Sequence, residues 1–417
     1  MTFRNKTDTI AGDARLFRPG PVKSQGLVIV TCLLITACQS VIPEHATEAL
    51  RHPTISRPGS VFIPVEAIRN DKDALAARCL RSAAAPVEPI LSVDAPSGYG
   101  LDDRYVSASN AIIKMGTSCL GGNDQQCRSI VAMAASWADA DAAIISRTKA
   151  DDSQFWNDSL TANLYVARPF TGAYSIARSR GFSDNALDIR IRGWLHRLLT
   201  QASHMMRDGS YYREADMNNA PKAAHNHAAA SAAAWMAFGA QWNDAEAFRH
   251  GIEQWFITLR TIRDDGSLPI ETRRGARAVF YQGRILNALT SIAVMADVQG
   301  LDIWSQGPES STAIHKAAEF MLKAVDDPSI AFPYARANVA PGPDKNWKNP
   351  YLGSLDGALA WIIPYMHRFP EHANTAAILS AGERNGWQTR MIKSALNRAS
   401  MGSDWLGFDA ACRFGKL

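Results

Sequence analysis

The chain has 417 residues, 47% of them hydrophobic and 20% charged, with a formal net charge of +4. This composition supports a large buried core, and the length fits one large helical domain as well as two domains. Five basic and two acidic residues ahead of Cys38 account for three of the four net charges, so the remainder is nearly neutral and makes no case for nucleic-acid binding.

In chain order, Arg4, Lys6, Arg15, Arg18 and Lys23 precede an apolar run, Leu27–Ala37. The run is far short of the roughly 20 residues needed to span a bilayer. A basic flank, a short apolar stretch and small residues before a cut site predict a secretory signal over residues 1–37. Leu34-Ile35-Thr36-Ala37-Cys38 resembles the bacterial lipobox, which implies cleavage before Cys38 and lipidation of its thiol. Gln39 follows, with no Asp to suggest retention at the inner membrane. The expectation is an outer-membrane lipoprotein facing the periplasm, in contact with the membrane through the lipid anchor only.

Residues 38–75 are rich in Pro, Ser, Thr and charge without periodicity and are predicted to be a tether. Residues 76–417 are then the folded domain. Besides Cys32 in the signal and Cys38, the chain carries Cys79, Cys119, Cys127 and Cys412. An even number in an oxidising compartment predicts disulfides, with three pairings open. Residues 84–106, with Pro86, Pro89, Pro96, Gly98 and Gly100, predict an irregular loop.

From about residue 107 the pattern is helical. Leu187, Ile191, Trp194, Leu195, Leu198 and Leu199 mark one face; Ile285, Leu289, Ile292 and Ala296 mark another; Leu355, Leu359, Ile362 and Ile363 a third. Ala-rich stretches near 132–145 and 228–240 suit close helix packing. Asp264-Asp265-Gly266 and Asp326-Asp327-Pro328 are turn signals, and 333–350 is a second irregular segment. The predicted class is all-α, built from helical hairpins; periodicity alone allows a bundle or a toroid.

One constellation can carry chemistry. His225-Asn226-His227 precedes the second Ala-rich stretch, and Arg273-Arg274-Gly275-Ala276-Arg277 with Tyr281 follows some fifty residues later. On a helix Arg274, Arg277 and Tyr281 share a face. Guanidiniums match a carboxylate in a bidentate fork. As plain structure, Asn226 is a good helix N-cap, the arginines a solvated face and Tyr281 a core-edge aromatic. His225 and His227 as a metal pair lack a third ligand at suitable spacing.

From about Cys79 to Pro370 the chain resembles the alginate lyases related to the poly(β-D-mannuronate) lyases that degrade alginate in the periplasm. The resemblance rests on Asn226-His227, on Arg274 with Tyr281 seven residues later, on the ASWADADA segment around Trp137, on DGSLPIETRRGARA (265–278), on Gly300-Leu301-Asp302 and on Ala360–Tyr365. It implies an incomplete α/α toroid with a cleft on one face and Asn226, His227, Arg274 and Tyr281 as catalytic residues. It further implies an acidic polysaccharide substrate, no cofactor and a monomer. Ser97-Gly98-Tyr99 aligns loosely with a lid that carries a Tyr over the cleft. Trp156 is a candidate for stacking a sugar ring, and Arg277 and Gln282 flank the catalytic Tyr. The resemblance pairs Cys79 with Cys127, leaving Cys119 and Cys412 for a second bridge.

The residue types suit β-elimination. Removing the C5 proton of a 1,4-linked uronate builds charge on its carboxylate, which Arg274 and Asn226 could neutralise; one such fixed donor is typically worth ~3–4 kcal/mol. A base takes the proton and an acid protonates the departing O4. His227 and Tyr281 can fill these roles, and on mannuronate Tyr281 could fill both. A phenol ionises only near ~10, so that role needs a neighbouring cation such as Arg274. No water attacks and no metal is required. The family commonly reads Asn-Asn-His before a Tyr-Trp pair, where this chain has His225-Asn226-His227 and then Ala228-Ala229; it reads Tyr-His-Asn where this chain has Tyr281-Gln282-Gly283. These departures bear on substrate, and make glucuronan or a mixed exopolysaccharide the alternative. A lipid-anchored polysaccharide-binding protein without turnover is the non-enzymatic alternative, and a glycoside hydrolase would need two carboxylates flanking the bond.

Overall fold

The computed structural model describes residues 41–79, 83–95, 101–145, 152–208, 224–307, 309–336, 346–348, 355–383 and 403–415. The predicted signal over 1–37, the lipid site Cys38 and the lid residue Tyr99 lie outside the described residues.

Helices carry the described fold: α1 (Asp103–Leu120), α2 (Asp124–Asp139), α3 (Asp152–Thr161), α4 (Arg168–Ser179), α5 (Asn185–Asp208), α6 (Asn226–Trp242), α7 (Ala245–Leu259), α8 (Ala278–Val298), α9 (Ile314–Asp326), α10 (Ile362–Arg368) and α11 (Ala373–Glu383). Local chemistry sets their ends. Asp102, Asn123 and Asp244 accept backbone N–H groups at the starts of α1, α2 and α7. Asn243, in the left-handed conformation at φ 57°, turns α6 sharply into α7. Helices close in sequence pack as hairpins, α1 on α2 and α6 on α7, while α4, α5 and α8 also lean on α6. Among the described residues extended pairing is limited to one bridge, Ser92 with Ile144.

The Ala-rich helix α6 is the hub. Ala229, Ala232, Ala233, Met236, Ala237 and Ala240 repeat at i, i+3, i+4 and i+7 and join one apolar cluster with Trp255, Leu289 and Trp361. Ala230, Ala234 and Phe238 join a second cluster with Trp137, Phe170 and Trp194. A helix covered on both faces needs small side chains, which is why alanine dominates. Close approach is tightest at Gly239, where a Cβ would stand 2.4 Å from the Phe248 amide nitrogen and 2.6 Å from the Asp244 carbonyl oxygen. Neither backbone atom can yield, so Gly239→Ala is expected to lower stability by about 2–3 kcal/mol, read as a lower midpoint in denaturant.

The predicted helical faces fold as expected over α5 and α8: Ile191, Trp194, Leu195 and Leu199, and Ile285, Leu289, Ile292 and Ala296, are all buried. The third face is broken. Leu355–Ala358 is one short turn and α10 begins only at Ile362. Pro364 is the cause, since it has no N–H to bond residue 360 and so tolerates only the first turn of a helix.

The tether is corrected from Ile42 onward. Ile42, Leu50, Val61 and Phe62 belong to the same cluster as Trp255 and Trp361, and Leu75 is fully buried in a third. Backbone bonds hold the segment down: Gly59 donates to Ala240 at 2.9 Å, and Gln299 Nε2 donates to the Ser60 carbonyl at 2.7 Å. Ser40–Leu417 is one compact unit. An irregular backbone that buries single residues shows no periodicity, which is why composition alone reads it as a tether.

The four remaining cysteines form disulfides, but not as the resemblance pairs them. Cys79 bonds Cys412 and Cys119 bonds Cys127. The second closes the short turn between α1 and α2; the first ties the chain ahead of α1 to the segment after α11, across 333 residues. In a chain-entropy account the long loop is worth about 5 kcal/mol and the short one about half that. Cys412→Ser is therefore expected to lower the unfolding midpoint more than Cys119→Ser, in paired thermal scans.

Candidate active site

Asn226 opens α6, its backbone N–H still unused by the helix. Glu271, in the short helix Pro269–Thr272, accepts from both of its donors: Oε1 from the backbone N–H at 2.6 Å and Oε2 from Nδ2 at 2.8 Å. Both residues are fully buried. Among the described residues the buried Asn226 Oδ1 has no hydrogen-bond partner, so the amide keeps one N–H and one acceptor unused.

The helix cap corrects the sequence reading. His225 is the N-cap, its Nδ1 accepting the Ala228 amide at 3.3 Å, and Asn226 is the first residue inside the helix. A ring nitrogen that accepts leaves the proton on Nε2, so His225 is the neutral tautomer. Burial and the Arg274 charge push its pKa down to about 3. His227 is pushed well below its ordinary value by burial, by His225 and by Arg274, so it too is neutral at physiological pH. Their rings meet edge to face with centroids 6.0 Å apart.

Arg274 is 3% exposed, yet it is not on a helical face. It stands in a break between Pro269–Thr272 and the tight turn Gly275–Arg277, ahead of α8. Gly275 makes the break at φ 53°, a conformation costly for other residues. The break folds Arg274 back onto α8, with its guanidinium carbon 4.0 Å from the centroid of the Tyr281 ring. It also lies near Glu271, whose pKa burial raises to about 7 despite the pull of Arg274 and the bonds from Asn226. The Tyr281 hydroxyl makes no hydrogen bond among the described residues. The structure thus gathers Asn226, His227, Arg274 and Tyr281, separated by up to 55 positions in the chain, around one buried guanidinium.

The flanking predictions fare differently. Arg277 is half-buried in the turn before α8. Gln282 is fully buried and structural, a correction to its reading as a substrate contact: Oε1 accepts the Leu268 amide at 2.9 Å and Nε2 donates to the Gly266 carbonyl at 3.0 Å. It thereby clamps the loop carrying Glu271 and Arg274 onto α8. Trp156 lies in α3, but its side chain is outside the described residues. Glu271 was missed by the sequence reading although it lies inside the quoted DGSLPIETRRGARA segment; its spacing three residues before Arg274 was the available signal.

Against this geometry, residues 174–331 match the family described as alginate lyase. They hold the whole cluster, from α6 to the first turns of α8. An alginate lyase of Pseudomonas fluorescens is 25% identical over 250 residues, 58% of this chain and 59% of that protein. One from Pseudomonas aeruginosa is 28% identical over 199 residues, 47% of this chain and 48% of that protein. The chain thus spans about half the length of these relatives, from 48% to 59%. Alginate lyase A1-III of Sphingomonas species A1 superposes with a TM-score of 0.58 at 20% identity, covering 79% of this chain and 93% of that one. A variant of that enzyme complexed with a tetrasaccharide gives 0.57. The shared fold is an incomplete α/α toroid of helical hairpins, as the sequence led us to expect.

The balance of buried ionisable groups predicts acid sensitivity. A histidine with a depressed pKa contributes stability that is full above its ordinary 6.5 and lost as pH falls toward the folded value; Glu271, raised to about 7, contributes in the opposite sense, present at low pH and lost as pH rises toward 7. With both His225 and His227 on the first side, unfolding free energy is expected to fall between pH 6.5 and 5. His225→Asn keeps a capping side chain and removes one titrating ring, so urea denaturation across that window should show a shallower decline.

Proposed function

We propose that the chain is a polysaccharide lyase that cleaves a 1,4-linked, alginate- or polymannuronate-like polyuronate by β-elimination. The observation that carries this reading is the convergence of a buried guanidinium, an amide with spare hydrogen-bonding capacity, a neutral imidazole and a phenol on one point. Arg274 and the free N–H of Asn226 hold the uronate carboxylate and take up the charge that develops as C5 loses its proton. The electron pair of the C5–H bond forms C4=C5, the C4–O4 bond breaks, and O4 leaves protonated. On mannuronate both proton transfers fall on one side of the ring, and Tyr281 serves as base and then acid. His227, kept neutral by its surroundings, is the base where the proton lies on the other face. Arg277, half-buried in the turn before α8, is the candidate to meet a neighbouring acidic sugar, with Tyr99 and Trp156 as further candidate sugar contacts. Hydrolysis is disfavoured because the one carboxylate described at this point, Glu271, has both oxygens occupied by Asn226 rather than standing across a bond from a second acid.

A second polyuronate is a specific alternative, because the groups beside the cluster depart from the family pattern: His225 caps the helix and Gln282 clamps the loop. Initial rates on mannuronan, guluronan, alginate and glucuronan, compared as kcat/KM, test it. The reading expects mannuronan or alginate to lead; a lead for glucuronan of tenfold or more would transfer the assignment to that polymer.

We further propose that the protein works in the periplasm as a monomer, held to the outer membrane by lipid on Cys38. The sequence running into Cys38 supports export, and both disulfides suit an oxidising compartment. Among the described residues no helix is long and apolar enough to cross a membrane. Incorporation of labelled palmitate that disappears in Cys38→Ala, with the protein released from the membrane fraction, is the expected result.

A further inference from the structure

Arg284 lies one helical turn after Tyr281 on α8, and it is 9% exposed. Its guanidinium carbon stands 4.7 Å from the Phe280 ring centroid and 4.5 Å from that of Trp405. Such contacts cover the flat faces of a guanidinium. They supply no acceptor for the N–H groups in its plane, and among the described residues Nε and one Nη of Arg284 are buried without a partner. Arginines are almost never buried to this degree unless paired, because a charge left unpaired away from water is costly. Arg274 beside Glu271 obeys that rule; Arg284 makes no ion pair among the described residues.

Two glycines set the surroundings of this guanidinium. Gly283 lets the segment after Leu355 come down on α8: a Cβ there would sit 2.4 Å from the Ala358 carbonyl oxygen. That places Gly357 beside Arg284, where even a methyl group would stand 3.5 Å from an Nη and occupy the space in front of it. Asn287, one turn further on, is already committed, its Nδ2 donating to the Gly357 carbonyl and its Oδ1 accepting the Trp361 amide, both at 2.8 Å.

We infer that Arg284, framed by Phe280, Trp405 and Gly357, anchors a second carboxylate subsite that takes the acid group of a sugar unit next to the one undergoing elimination. The inference rests on the polyuronate reading proposed above and deepens it. Three residues of helix separate Arg284 from Tyr281, about 4.5 Å of rise, which is comparable to the step between neighbouring units of an extended 1,4-linked chain. A planar fork closed in by aromatic faces selects a planar acceptor of one orientation, so a carboxylate satisfies it and a hydroxymethyl group does not.

The test uses the full-length Tyr281→Phe protein, which binds without turnover, and adds Arg284→Gln. Two ligands are titrated calorimetrically: a saturated trimannuronate, and the same trisaccharide with its carboxyls reduced to alcohols. The expected result is a loss of at least tenfold in affinity for the charged ligand, no change for the reduced one, and an unfolding midpoint that stays level or rises because an unpaired buried charge has gone. Equal affinity for trimannuronate with and without Arg284 would overturn the subsite. So would parallel losses for both ligands with a falling midpoint, which would make Arg284 a packing residue. If the folded Tyr281→Phe parent binds no charged trisaccharide, the polyuronate reading itself fails, and that failure is read before Arg284 is altered.

Discussion

Tyr281→Phe is expected to lower kcat by about 10³- to 10⁴-fold, the range for a side chain that both takes and returns a proton, while affinity for a saturated oligouronate changes by no more than a few-fold. The ring is what Arg274 packs against, 4.0 Å from its centroid, and phenylalanine keeps that face. The hydroxyl makes no hydrogen bond within the described protein, so its removal leaves no partner stranded. Turnover followed by the ultraviolet absorbance of the unsaturated uronate, with binding measured separately, checks both halves. A variant within tenfold of the parent in kcat would move the proton transfers to His227.

Glu271→Gln is expected to cost about 10- to 100-fold in kcat, because a glutamine amide cannot accept from both Asn226 donors and one buried N–H is left facing another. The larger consequence is in pH dependence. Burial raises the Glu271 pKa to about 7, so as pH falls through that value the carboxylate takes a proton and releases one Asn226 donor. Activity of the parent should therefore decline on the acid side with a midpoint near 7, and the Gln variant, with nothing there to titrate, should lack that limb. Binding of substrate should be less affected than turnover, since Arg274 remains. Glu271 touches no reacting atom in this account; it positions the amide that does, and a pH profile unchanged by the substitution would reduce it to a packing role.

The sequence carried the cluster further than it carried its geometry. The order and spacing of Asn226, His227, Arg274 and Tyr281 led to one site, and the structure brings them together. The helical face through Arg274, Arg277 and Tyr281 did not survive, because Gly275 breaks the chain ahead of α8 and a periodic argument assumes continuity. The break nevertheless gives a closer Arg274–Tyr281 contact than a shared face implies. Gln282 sits beside Tyr281 in sequence but points elsewhere on the helix, about 100° round, into the loop it clamps. Burial of Ile42, Leu50 and Val61 was illegible because isolated apolar residues in irregular chain have no period. Cysteine pairing depends on which helix ends meet, which no local pattern encodes. Glu271 and Arg284 escaped for a shared reason: each is a charged residue whose meaning lies in burial, and burial of a charge is the property that composition predicts least.

The mass of the products tests the central claim most directly. Incubating the protein with defined mannuronan oligomers and weighing the fragments distinguishes elimination from hydrolysis without reference to rate. The account predicts that each cleavage adds no water, so that one fragment of every pair is a saturated oligouronate and the other ends in a C4–C5 double bond. Fragments that both carry the elements of water, or oligouronates of every linkage recovered intact, would contradict it.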